Sequence, residues 1–214
     1  NGDDISTWAG AERLIQTAVD TFGDLHAVIN NAGILRDRMM ANMSEEEWDA
    51  VIKVHLKGTF APSRFAAAYW RDQSKAGKPV DGRIINTSSV SGIYGNVGQT
   101  NYGAAKAGIA AFTTIASLEL ARYGVTVNAV APVALTRMTE NLSPTPPTDE
   151  ERELGSPRWI APIVTWLASE ESKAITGRVF EASGRVLAIA EGWHRGPTHE
   201  PVDDAAMLGP IVEE

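Results

Sequence analysis

Residues 86–108 read NTSSVSGIYGNVGQTNYGAAKAG, and the short apolar run Arg83-Ile84-Ile85 leads into them. The pattern is a strand, a Gly-rich turn and then a long helix of small residues. Tyr102 and Lys106 are four apart, so one helical turn sets both side chains on the same face. Ser89 lies thirteen residues before Tyr102, at the end of the strand. A strand end facing a helix start is where open α/β sheets build their sites. The chemistry indicated is proton transfer to or from oxygen. A tyrosine at its ordinary pKa of about 10 is a poor base at neutral pH, and a nearby ammonium favours its phenolate. A serine hydroxyl at the same point can hydrogen-bond a substrate oxygen. A Tyr and Lys four apart are also common on ordinary helix surfaces, so the pair needs support from the rest of the chain.

Working outward, the chain before this stretch alternates helix and strand. Residues 7–22 carry Leu14, Ile15, Ala18, Val19 and Phe22 on one helical face, with Gly23 at the end. His26-Ala27-Val28-Ile29 is a short apolar strand running into Asn30-Asn31-Ala32-Gly33. A second helix starts at Ser44 with Glu47 completing a capping box. Its buried stripe is expected to be Trp48, Val51, Ile52 and His55, and the pattern continues towards Trp70 with a bend near Pro62. After the stretch, a helix from about Thr100 to Arg122 ends at Gly124, and Val125 to Val130 form a strand. Residues 136–158, with Pro144, Pro146, Pro147, Pro157 and an acidic cluster at Asp149–Glu151, read as a long irregular or partly helical insertion of the lid or binding-loop kind. The acidic cluster reads as a solvated face. A short helix from Trp159 to Ala168 precedes a last strand near 178–181, and the tail beyond Glu191 shows no periodicity. Four strands are expected, at 26–30, 83–88, 125–130 and 178–181. They are apolar runs rather than alternating ones, as in a parallel sheet covered on both faces.

Bulk properties narrow the function. The 214 residues suit one domain. A net charge of −8 without a basic stripe argues against nucleic acid. There is no cysteine, which removes disulfides, thiolate chemistry and Cys-based zinc sites and fits a reducing, cytoplasmic location. No apolar run is expected to reach the roughly 18 residues that span a bilayer, and the first residues lack a signal-peptide pattern. His194 and His199 have no ligand partners at useful spacing, so no metal site is expected.

Together these residues resemble the short-chain dehydrogenase/reductase family. Asn30-Asn31-Ala32-Gly33 is similar to its NNAG motif, and Ser89, Tyr102 and Lys106 match its catalytic serine and Tyr-x-x-x-Lys pair. The resemblance runs to about Glu191 and implies a Rossmann-like, doubly wound α/β fold with a parallel sheet. It implies NAD or NADP as cofactor, with NAD favoured. Asp4 and Ile5 would meet the adenine. Asn31, Ala32, Gly33, Tyr102, Lys106 and the strand end at Pro132 would contact the rest, with Thr136 at the carboxamide. Tyr102 would transfer the proton, Lys106 would lower its pKa and hold the ribose, and Ser89 would hold the substrate oxygen. His55 replaces a family asparagine that serves a proton relay; it reads equally as a relay group or as a core histidine.

Within the family, residues 31–38, 54–56, 92–96 and 137–140 look like the (3R)-hydroxyacyl-CoA dehydrogenase domain of peroxisomal multifunctional enzymes and its actinobacterial relatives. That implies an oxidoreductase for a small secondary alcohol or ketone, most of all a 3-hydroxyacyl or 3-oxoacyl thioester. Carrier-protein-linked 3-oxoacyl reductases and hydroxysteroid dehydrogenases acting on a steroid alcohol are the neighbouring readings. Helix 100–122 and the helix after Ser44 would form a four-helix interface in a homodimer or homotetramer, with no membrane partner. Two departures stand out. Pro132 is followed by Val133 instead of glycine, and the family's Thr-Gly-x-x-x-Gly-x-Gly turn, which seats the pyrophosphate, does not occur. The chain is therefore expected to be the C-terminal part, residues 1–214, of one such domain that lacks the first βαβ portion, with strand 26–30 as a bare sheet edge. If 214 residues were the whole protein, a non-catalytic relative serving as an interaction subunit would be the competing reading.

Overall fold

A computed structural model describes residues 1–136 and 146–212 of the chain. Thr7 caps the first helix, α1 (Trp8–Phe22), by accepting from the Gly10 amide, and Gly23 closes it with φ 80°. There follow β1 (Ala27–Asn30), α2 (Glu45–Ile52), a π-helical turn over Lys53–Lys57, and α3 (Gly58–Lys75). Next come β2 (Gly82–Thr87), α4 (Val90–Tyr94), α5 (Thr100–Leu120) and β3 (Val125–Pro132). The chain ends with α6 (Asp149–Leu154), α7 (Ala161–Leu167), β4 (Val179–Ala182), β5 (Leu187–Ala190) and α8 (Leu208–Val212).

The sheet order is β1-β2-β3-β4-β5, with β1 to β4 parallel in consecutive pairs. β1 is an edge, as expected. Val28 faces inward while Ile29, on the opposite face, is 52% exposed. The four-strand expectation is corrected by β5, which pairs antiparallel with β4. Its turn is tied by Ser183, whose amide donates to Val186 O at 2.8 Å and whose hydroxyl accepts from the Arg185 and Val186 amides. An antiparallel edge strand on a parallel sheet is a common finish.

Helices α1, α3 and α5 cover one face. Their apolar contact with the sheet joins Ile15, Ala66, Trp70 and Ala116 to Val28, Ile84, Val125 and Val127. The other face carries α7, with Leu167 against Ile85, Val130, Phe180 and Ala182. Between α3, the sheet and α5 runs a buried polar chain. Asn30 Nδ2 donates to Ser63 Oγ at 2.9 Å and to Asn86 Oδ1 at 2.8 Å, and Asn86 Nδ2 donates to Thr113 Oγ1 at 2.9 Å. Parallel register sets Asn30 beside Asn86, so the two strand ends are locked together beneath the functional end of the sheet.

Other expectations are corrected. The helix after Ser44 runs on past Trp70 as expected, but through a π turn over Lys53–Lys57. Trp48 and Phe22 are 41% and 82% exposed, because α2 buries only Val51 fully and Phe22 stands at the solvent end of α1. Residues Thr100–Tyr123 are long and apolar enough, by length and composition, to cross a membrane. In the fold that segment instead buries Asn101, Lys106, Thr113 and Ser117 on its inner side. The acidic cluster forms the first turn of α6 under a Thr148–Glu151 capping box, where three carboxylates favour the positive end of the helix.

Candidate active site

The site grows from the C-terminal end of β2. Ser88 turns inward and donates to Lys106 O at 2.9 Å, and Ser89 caps α4 by accepting from the Ser91 amide at 3.1 Å. That bond leaves the Ser89 O–H as a donor. Gly92 is required here, because a Cβ would fall 2.5 Å from Ala107 N. The absence of a side chain lets α4 lie directly on α5 beside Lys106. Asn101, fully buried, fixes the start of α5 from the other side. Its Nδ2 donates to Arg36 O at 2.9 Å and Glu47 O at 3.2 Å, and its Oδ1 accepts from Tyr102 N at 2.7 Å.

Tyr102, Lys106, Ser89 and His55 are brought together. The His55 and Tyr102 rings meet edge to face at 5.1 Å between centroids, and Lys106 Nζ lies 5.4 Å from the Tyr102 ring centre. Lys106 is 3% exposed and donates to Thr87 O at 2.6 Å. Burial brings its pKa down to about 8. Burial holds the Tyr102 phenol above its ordinary value. The Ser89 hydroxyl beside it pulls the other way, and the Asp37 carboxylate pushes it further up. The Lys106 ammonium is turned to the Thr87 carbonyl. At neutral pH the phenol carries its proton.

His55 occupies the π turn, a helical irregularity that recurs at functional sites. Its Nε2 lies 2.7 Å from Ile34 O and 3.0 Å from Ile34 N. Burial, followed by the Lys106 ammonium, lowers its pKa to about 4, so the ring is neutral at physiological pH. Its Nδ1 is buried and has no protein partner. Gly33 is the second position where only glycine fits, since a Cβ there would meet His55 Cε1 at 2.6 Å. The ring thus wedges under the NNAG turn and against the tyrosine at once.

The residues expected at a dinucleotide line the same end of the sheet. Asn31 and Ala32 are exposed just past β1, and Thr87 Oγ1 donates to Asn31 Oδ1 at 3.1 Å. Asp4 is held by the Ser6 amide at 2.9 Å and hydroxyl at 2.6 Å, with Lys53 Nζ at 3.7 Å. Ile5 is packed at the start of α3, near Gly58. Pro132 ends β3 in register with Ala182, and Thr136 is exposed four residues beyond it. The Arg137–Glu140 match lies outside the described residues. The donor set fits the nicotinamide end of such a group: an open strand exit, a buried ammonium with donors to spare, and a phenol. Thr87 as the lysine's anchor, the π turn and the Asp37–Gln99 contact were not legible in the sequence.

A family model described as short chain dehydrogenase matches residues 2–147. The hydroxyacyl-CoA dehydrogenase ChsB1 of Mycobacterium tuberculosis is 47% identical over 216 residues, covering 96% of this chain and 68% of that protein. Peroxisomal multifunctional enzyme type 2 of Mus musculus is 40% identical over 182 residues, 85% of this chain and 22% of its own length. The crystal structure of a short chain dehydrogenase from Mycobacterium avium superposes with a TM-score of 0.89 at 52% identity, covering 100% of this chain and 71% of the other.

Proposed function

This chain belongs to the short-chain dehydrogenase family of oxidoreductases acting on CH–OH groups, and we propose that its substrate pair is a 3-hydroxyacyl thioester and the matching 3-oxoacyl thioester. The observation that carries the reading is the convergence of Ser89, Tyr102 and Lys106 on one buried point at the end of β2. The family's nicotinamide cofactor supplies or accepts the hydride; NAD is the proposed form and NADP the alternative. Asn31, Ala32, Gly33, Lys106, Pro132 and Thr136 would hold its nicotinamide half, with Asp4 and Ile5 at the adenine.

The chain's own residues handle the proton. In the reducing direction the protonated Tyr102 donates to the substrate oxygen as negative charge develops there, and in the oxidising direction the Tyr102 phenolate, formed once the phenol proton has passed to solvent, takes the alcohol proton. Ser89, whose oxygen lone pair is engaged by the Ser91 amide, aims its O–H at the same oxygen. Lys106 uses one of its three donors on Thr87 O, which leaves two for the ribose. His55 sets the tyrosine ring and the Gly33–Ile34 backbone in place. Phe60, Ile115 and Leu118, 43%, 57% and 77% exposed on α3 and α5, support assembly into a homodimer or homotetramer through that face. The absence of cysteine supports a cytoplasmic setting.

The test is a substrate panel with the purified protein: 3-hydroxybutyryl-CoA, a carrier-protein-linked 3-oxoacyl group and a hydroxysteroid, each with NAD(H) and NADP(H). The reading expects the highest kcat/KM with the CoA thioester. A higher value with the carrier-linked or steroid substrate replaces it with the corresponding alternative, and cofactor binding without any turnover replaces it with the non-catalytic one.

A further inference from the structure

Thr87, the last residue of β2, holds two of the groups expected at the cofactor, each by a different atom. Its carbonyl accepts from Lys106 Nζ at 2.6 Å, and its hydroxyl donates to Asn31 Oδ1 at 3.1 Å. These partners lie 19 residues after it and 56 before it in the chain. Parallel register brings Asn31 to it: Asn30 ends β1 opposite Asn86, so the next residue leaves the strand beside Thr87.

Both flanks of Thr87 are fixed. Asn86 and Ser88 are fully buried. Asn86 is tied to Asn30 and Thr113, while Ser88 N donates to Val130 O at 2.8 Å and Ser88 Oγ to Lys106 O at 2.9 Å. Thr87 is half-buried between them, and its β-branched side chain has a restricted choice of rotamers. The hydroxyl is thus presented from a rigid strand end. Asn31, by contrast, is exposed, and among the described residues its side chain has no other hydrogen-bond partner. With Oδ1 held, Nδ2 points away from Thr87 and keeps both of its N–H donors.

We infer that Thr87 is a positioning residue for the cofactor: its hydroxyl sets the Asn31 amide and its carbonyl sets the Lys106 ammonium, so that one strand end fixes the separation of two donor groups offered to the oxygen acceptors of the nicotinamide half. The inference rests on the cofactor reading above. Released from Thr87, the Asn31 side chain would turn freely, and the dinucleotide would have to order it on binding, at a cost in affinity. The lysine contact is made by the backbone, so the hydroxyl can be removed without taking that contact away.

The experiment measures the dissociation constants of NADH and NADPH by nicotinamide fluorescence, without substrate, so that no turnover enters the result. Thr87→Val keeps the side-chain shape and loses the hydroxyl; it is expected to weaken the tighter-binding form roughly three- to tenfold. Thr87→Ser restores the donor and is expected to return the affinity close to the wild-type value. In an Asn31→Ala background Thr87→Val is expected to add nothing further, a coupling that a general structural loss would not produce. A thermal melt accompanies each variant, and Thr87→Ala repeats the loss of the hydroxyl with a smaller side chain. Equal affinities in the wild type and in folded Thr87→Val, or an undiminished effect of Thr87→Val in the Asn31→Ala background, overturn the inference and leave the cofactor reading intact. A wild type that binds neither NADH nor NADPH overturns both.

Discussion

The two faces of the sheet bury different material. Under α3 and α5 a polar chain is set into the apolar contact: Asn30, Ser63, Asn86, Thr113, His55 and Lys106 are buried, and of their fully buried side-chain polar atoms only His55 Nδ1 lacks a protein partner. Under α7 the apolar contact is built from Ile85, Val130, Leu167, Phe180 and Ala182. Arg83, Asn128 and Ser172 are polar groups buried there too; Arg83 is paired to Asp81 at 2.6 Å with Nη2 left unpartnered, and Asn128 Nδ2 donates to Ile175 O at 2.8 Å. The contrast teaches where this fold spends its tolerance. A buried polar chain has to be matched atom for atom, because each lost partner strands another group in low dielectric. An apolar contact only has to be filled. The catalytic groups sit at the end of the matched side, which holds them in fixed positions.

The contrast can be pressed by substitution. Ser89→Ala removes the proposed oxyanion-side donor without touching either core, and is expected to lower kcat roughly 10²- to 10³-fold, with a stability loss of about 0.5–2 kcal/mol from the missing α4 cap; steady-state kinetics beside a thermal melt checks both. Neighbouring residues of β2 then test the faces directly. Asn86→Leu should cost about 1–3 kcal/mol by stranding the Asn30 amide and the Thr113 hydroxyl, and should also depress kcat because Asn30 and Asn86 join the two strand ends. Ile85→Val should cost about 0.5–1.5 kcal/mol and leave kcat alone. Equal kinetic effects from the two would erase the distinction between the faces.

The two sides also differ in the pH dependence of stability they impose. His55 is held at about 4 in the fold against an ordinary 6.5. Between those values the unfolded chain binds a proton that the folded chain does not. Its contribution is therefore complete above pH 6.5 and is lost as the pH falls towards 4, with a slope of at most about 1.4 kcal/mol per pH unit. Urea titrations across that range should show the slope in the wild type and a flatter line in His55→Asn. Parallel lines would mean that the ring is not buried neutral.

Much of this arrangement was legible in the sequence because it is local. The spacing of Tyr102 and Lys106 on one helix, the serine at a strand end and the places of the four parallel strands along the chain follow from short-range pattern. The features that escaped depend on contacts distant in sequence or on backbone ladders that no residue type dictates. The π turn at Lys53–Lys57 looks like continuous helix by periodicity. Strand β5 is four apolar residues after a serine-tied turn, easily merged with the tail. Asp37 meets Gln99 across 62 residues, a contact invisible before the fold exists. The burial that raises the tyrosine pKa, and the Thr87 carbonyl that takes the lysine ammonium, likewise depend on the assembled fold.

The central claim is that the Tyr102 hydroxyl moves the proton. The direct measurement is formation of reduced nicotinamide from 3-hydroxybutyryl-CoA by the Tyr102→Phe protein, read beside its cofactor affinity. The account predicts turnover lowered by roughly 10²- to 10⁴-fold, with cofactor affinity and thermal melt close to wild type. Turnover at the wild-type rate in a folded, cofactor-binding Tyr102→Phe protein would contradict it.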